Sequence, residues 1–220
     1  MKKYLVMTAL VLLVISGMKT GALAQDVEMH ITMLKEVSSN GETYGISFEL
    51  SNDVLKKVTR VFIQGPKGAR IWVNNTLNLN GILLSAANLS LEEFNRWFPE
   101  GDYKINLTPP AFGKLKVHMT HDFPSTPAVL FPLEGAVGVA TNPVITWAPI
   151  PGITGLQLQL KDDAGFVFSI GLPINATSYS VPVNLLKSNT RYELSLEARM
   201  NFGGNGLATI TIISFTTAAQ

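Results

Sequence analysis

The chain has 220 residues, 17 basic against 16 acidic, 46% hydrophobic residues and no cysteine. The missing cysteines exclude disulfides, thiol catalysis, Cys-ligated zinc and a lipid-bearing N-terminal cysteine. The near-neutral balance, with no basic run or stripe, argues against nucleic acid as a partner.

Residues 1–24 read as a signal peptide. Lys2 and Lys3 form a basic start, Leu5 to Ile15 an apolar run, and Ala22-Leu23-Ala24 a small-x-small cleavage site, placing the cut between Ala24 and Gln25. The apolar run is shorter than an ordinary membrane span, and the mature chain holds no other stretch approaching one. Lys2, Lys3 and Lys19 leave with the leader, so 14 basic residues face 16 acidic ones, a net charge of −2. Export without cysteine and the MKK start together suggest a bacterial protein, periplasmic or secreted. The remaining length, about 195 residues, suits two domains better than one.

Residues 25–121 form the first domain. Met29, Ile31 and Met33 alternate with polar neighbours, as do Tyr44, Ile46, Phe48 and Leu50. This period of two is that of a half-buried strand. Val61 with Ile63 and Ile71 with Val73 continue the pattern, and "QGPKGAR" between them reads as a hairpin turn. At "NLSLEEFNRWFPEG" the period changes. Ser90 with Glu93 is a capping box, Leu91, Phe94 and Trp97 have helical spacing, and Pro99 and Gly101 end the helix. "DYKINL" and "KLKVHM" return to alternation. Tyr103 opens a strand with no turn spacing before it, so its hydroxyl is expected to matter little.

Pro124, Pro127 and Pro132 crowd the next segment. Proline donates no ladder hydrogen bond, so residues 122–126 are expected to be a stiff linker. Beyond it the chain reads as strands throughout. They lie around Ala128 to Phe131, at Ile145 and Trp147, at Leu156, Leu158 and Leu160, at Phe166, Phe168 and Ile170, and at Tyr179 to Val183. A strand at Tyr192, Leu194, Leu196 and Ala198 follows, then "NFGGNG" as a turn. The last strand changes phase between Ile210, Ile212 and Ile213, Phe215, predicting a β-bulge near Ile212. The fold expected is all-β: two immunoglobulin-like β-sandwich domains in tandem, the first with one short helix.

Residues 127–217 resemble a fibronectin type III domain. Leu186, Thr190 and Tyr192 have the spacing of its tyrosine corner, and "NPVITWAPIPG" matches its early strand with a core tryptophan, here Trp147. "ATSYSVP" and the closing "SFTT" fit as well. The resemblance implies a sandwich in which the Tyr192 ring caps the core and its hydroxyl bonds a backbone group a few residues upstream. It also implies a binding or spacer module without catalytic residues. "FPEGDYKINL" is similar to the P-x-G-x-Y strands of exported immunoglobulin-like modules.

Chemistry-bearing patterns are sparse. His118 and His121 make an H-x-x-H beside Asp122, but on an alternating strand the two rings diverge. Glu92, Glu93, Asp162 and Asp163 sit where a helix start and a turn favour acids. No G-x-S-x-G, phosphate loop or dinucleotide loop is present. The expectation is no catalytic residue, no metal and no cofactor. Trp72 and Trp97 are the aromatics expected to face a partner. The function expected is a non-enzymatic protein or carbohydrate interaction module outside the cytoplasm; the alternative is an accessory or inhibitor-like subunit of an exported enzyme.

Overall fold

The computed structural model describes residues 28–51, 53–77, 81–108, 114–202 and 205–219. The expected leader and the Ala24–Gln25 junction lie outside them, as do Gly203 and Gly204 of "NFGGNG". Over the described residues the fold is all-β with one short α-helix.

The first half contains β1 (Glu28–Ser38), β2 (Gly41–Ser51), β3 (Arg60–Gln64), β4 (Arg70–Asn74), β5 (Gly81–Leu89), helix α1 (Leu91–Trp97), β6 (Gly101–Thr108) and β7 (Lys114–Met119). Strands β1-β2-β5 make one layer and β4-β3-β6-β7 the other. Their inward residues, among them Ile31, Phe48, Ile63, Tyr103 and Ile105, form one buried core. The Ser90 hydroxyl accepts the Glu93 N–H while the Glu93 carboxylate accepts the Ser90 N–H. That box starts α1, which buries Phe94 and leaves Leu91 and Trp97 exposed.

The second half contains β8 (Val129–Phe131), β9 (Ala136–Val139), β10 (Val144–Trp147), β11 (Gly155–Asp162), β12 (Gly165–Leu172), β13 (Ser178–Ser180), β14 (Arg191–Phe202) and β15 (Asn205–Thr217). Its layers are β13-β10-β8 and β12-β11-β14-β15, with β9 parallel to the end of β15. Trp147, Leu158, Leu194 and Phe215 sit in a second core. Leaving β9 aside, the two halves have the same strand order: the first, second and fifth strands in one layer, the fourth, third, sixth and seventh in the other. This repetition has no counterpart in the residues themselves.

One sheet crosses from half to half. β1 pairs in parallel with β15, from Thr32 opposite Gly206 to Val37 opposite Thr211. The three-stranded layer of the first half thus continues into the four-stranded layer of the second. β15 has 13 residues, roughly 40 Å of strand, enough to serve both cores. Leu207 is buried in the first core, and Ile213 and Phe215 in the second.

Between them Thr209 and Thr211 point inward. Their hydroxyls donate to the carbonyl oxygens of Pro124 (2.7 Å) and Pro127 (2.6 Å). The proline segment, unable to donate to a ladder, is held by its acceptors instead. Phe123, just before it, packs among Tyr44, Phe94 and His121.

These threonines also explain why the expected bulge at Ile212 is absent. β15 stays in unbroken register with β14 from Asn205 to Thr216. The inward set is Leu207, Thr209, Thr211, Ile213 and Phe215, so the phase never changes. Buried hydroxyls with fixed acceptors take positions that an apolar pattern assigns to aliphatic side chains. Ile210 and Ile212 are half-buried on the opposite face.

Glu36 lies on β1 opposite Ile210 of β15. Burial first, and then the nearby Glu193 carboxylate of the second half, push the Glu36 carboxyl above the ordinary glutamate range; Lys161 opposes the shift. A raised carboxyl binds its proton more tightly in the folded than in the unfolded chain. Stability therefore falls as pH rises from the unfolded value through the folded one. Glu36→Gln should raise the melting temperature at neutral pH and flatten its decline through that window. Thermal melts of both chains across the window check this; a lower neutral-pH melting temperature for the variant would contradict it.

Candidate functional site

His118 and His121 have different partners, the first on β7 and the second beyond its end. His118 Nδ1 lies 2.8 Å from Asp102 on the exposed face of the β6–β7 pair. His121 places Nε2 2.9 Å from the Phe98 carbonyl, its ring against Phe94. Hydrogen bonds from Lys116, then from His118, hold the Asp102 carboxyl below the usual carboxylate range. Among the described residues no three acidic, histidine or cysteine side chains gather into a metal-binding group. None of their helices is long and apolar enough to cross a membrane.

Several other carboxylates are engaged in structure. Glu93 caps α1, Glu100 accepts the His121 N–H at 2.6 Å, and Asp162 accepts the Ala164 N–H at 2.9 Å in its turn. Glu193 pairs with Lys161 at 2.6 Å. Lys161, Asp162, Asp163, Arg191 and Glu193 surround a hollow of about 150 Å³, smaller than an ordinary ligand pocket. A wider trough of about 360 Å³ runs along the junction, lined by Lys35, Tyr44, Leu91 and residues 121–126.

Two tyrosines hold the sixth strand of each half. Tyr192 is buried against Phe215 at 5.7 Å, and its hydroxyl accepts the Lys187 N–H at 2.8 Å. Leu186 is buried beside it. Thr190 donates from its hydroxyl to the Ser188 carbonyl and from its backbone to Thr217 Oγ1. Tyr103, expected to be idle, is equally buried and donates to the Pro99 carbonyl at 2.8 Å. Tyr103 lacks the turn spacing that precedes Tyr192, yet its hydroxyl is held. Here Pro99, at the end of α1, supplies the acceptor. Burial raises the Tyr103 hydroxyl well above the usual phenol range. A Cβ at Gly65 would overlap this ring, and Gly101, at φ +128°, brings the chain round to it.

Both tryptophans singled out in the sequence are exposed. Trp97 is 58% exposed on α1, with the Arg96 guanidinium 5.9 Å from its ring centroid. Trp72 is 59% exposed on β4, the edge of the layer β4-β3-β6-β7. Phe62 sits opposite it on β3 and stacks on it, centroids 4.0 Å apart and planes 24° from parallel. One face of the indole is thus backed by a second ring.

What the sequence conceals is the company Trp72 keeps. Strand alternation sends Arg70, Gln64, Lys104 and Lys116 to the same outer face, in register across β4, β3, β6 and β7. The next row along the strands is Trp72, Phe62 and Asn106, and the third is Asn74, Arg60 and Thr108. Arg60, Arg70 and Lys104 are exposed, and among the described residues none of them has a carboxylate within ion-pair distance. Lys116 pairs with Asp102 at 2.8 Å. No basic run marks these residues in the sequence; only the register collects them.

No family model matches the chain, and no curated protein matches it. Among solved structures, similarity is found to the BSP domain of a biofilm-associated protein (12% identity, 88% of this chain and 29% of that one, TM-score 0.28). It is found as well to a two-domain fibronectin type III segment of chicken tenascin (11%, 78% and 91%, 0.30). A third is the chicken CNTN1 FN1-FN3 domains (13%, 89% and 65%, 0.32). The chain spans less than a third of the first of these. The structural neighbours are fibronectin type III and immunoglobulin-like domains, at low identity and low TM-score.

Proposed function

We propose that this chain is an exported, non-enzymatic interaction module that engages a protein or carbohydrate partner through the outer face around Trp72. The observation that carries the reading is that face itself: an exposed indole backed by Phe62, on an open sheet layer, beside cations that have no carboxylate within ion-pair distance among the described residues. A ring held from behind loses little freedom on binding, which is the condition for an efficient contact residue. The shared sheet supports the reading too, since it holds the face at a fixed angle to the second half. We read the second half as a fibronectin type III-like domain from its strand order and from the Tyr192–Lys187 bond. The leader pattern of residues 1–24 supports export to the periplasm or beyond.

The test is capture from the native host's envelope and medium, using the chain from Gln25 onward as bait. Trp72→Ala should lose the partner that the wild-type bait retains, while Trp97→Ala should keep it. Equal retention by wild type and Trp72→Ala would remove this face from the account.

A further inference from the structure

We infer that the Trp72 face takes a carboxylated polysaccharide, a chain of uronic acid type, with Trp72 under a sugar ring and Arg70 and Lys104 on its carboxylates. The inference rests on the reading above, that this face is the binding surface, and adds the chemistry of the partner.

Charge is the first argument. The mature chain is slightly acidic, yet the outer side of this one layer presents Arg60, Arg70, Lys104 and Lys116 against Asp102. Asp102 is already bonded to Lys116 and His118. The excess positive charge therefore lies with Arg60, Arg70 and Lys104, spread across neighbouring strands. Strands are spaced ~4.8 Å apart and alternate residues on one strand ~6.8 Å. The cation row and the aromatic row thus run side by side, close enough for one linear polymer to touch both.

The second argument is what surrounds the indole. Arg70 and Asn74 flank it on β4, Gln64 and Arg60 lie diagonally on β3, and Asn106 and Thr108 follow one strand further on β6, all of them groups that hydrogen-bond. Aliphatic side chains alternate inward on these strands, into the core. A protein hot spot sits in a desolvated pocket whose rim excludes water, whereas these groups around the indole are polar or charged and mostly exposed on an open layer. A sugar ring offers an apolar C–H face to the indole and hydroxyls to the amides.

Nucleic acid would also meet the cations. Single strands, however, are held by successive bases on successive aromatics. Here Phe62 is spent on backing Trp72, leaving a single platform. The layer is open, and Trp72 and Arg70 lie on its edge strand, so a polymer can cross without presenting an end.

The experiment is calorimetric titration of the chain from Gln25 onward with polygalacturonate, a neutral glucan and a single-stranded oligonucleotide, at low and high salt. Polygalacturonate should bind best, and the affinity should fall as salt rises, because each neutralised carboxylate releases its counterion. Trp72→Ala should weaken binding about ten-fold or more, with Trp72→Phe recovering part of the loss. Arg70→Gln combined with Lys104→Gln should weaken it and flatten the salt dependence. Equal binding of the neutral glucan, tighter binding of the oligonucleotide, or an unchanged Trp72→Ala would each overturn the inference. If polygalacturonate does not bind while Trp72→Ala still loses its native partner, the face stands and the carboxylated sugar falls. If Trp72→Ala changes neither, the face itself falls.

Discussion

Tyr103→Phe should destabilise the chain by ~1–3 kcal/mol, the usual cost of leaving a buried hydrogen-bonding group without its partner. The same range is expected for Tyr192→Phe, which orphans the Lys187 N–H as Tyr103→Phe orphans the Pro99 carbonyl. Both rings remain in these variants, so the cores stay filled. Alanine at either position removes the ring as well, and the added cavity should bring the loss to about 3–5 kcal/mol. Urea unfolding of the whole chain measures all four. Wild-type stability for both phenylalanine variants would mean that neither hydroxyl holds its strand.

The second large effect is at the shared sheet. Leu207→Ala should cost ~2–5 kcal/mol in the whole chain, because Leu207 belongs to the first core although it lies on the last strand. In residues 122–220 alone it should be nearly silent, since that core is then absent. The isolated segment keeps the second core complete, as no residue of the first half contributes to it, and it should fold. It should also self-associate, because β15 without β1 is a long uncovered edge. Denaturation of both variants in both contexts, with sedimentation of the isolated segment, checks this. An equal loss in the two contexts would place Leu207 in the wrong core.

The parts legible in the sequence were those with local causes. The Ser90–Glu93 box and Phe94 define α1 within a few residues. Alternation defines β2, β11 and β14, where each inward residue is apolar. Legibility ended where a distant partner decides. Thr209 and Thr211 face inward because Pro124 and Pro127 offer acceptors from another segment, and they mimic a bulge in the hydrophobic pattern. The β1–β15 pairing joins strands from opposite ends of the chain, with no local mark on either. β9, four residues long with Gly138 inside it and Gly135 just before it, has too little alternation to stand out. Tyr103 lacks the spacing that marks Tyr192, and its acceptor is the Pro99 carbonyl just past α1.

The candidate site divides the same way. Trp72 could be singled out because it breaks phase with Ile71 and Val73. Arg60, Arg70, Lys104 and Lys116 could not be connected to it. They lie on separate strands, and only the register across β4, β3, β6 and β7 makes them neighbours.

The most direct test of the account is to map the contact on the molecule. Oxidative footprinting of the chain from Gln25 onward, free and bound to whatever it retains from native exported material, reads side-chain exposure residue by residue. The account predicts loss of labelling at Trp72 and Phe62, with Trp97 unchanged. Protection confined to exposed apolar residues of the second half, such as Leu130, Leu133 and Val137, with Trp72 labelled as in the free chain, would contradict it.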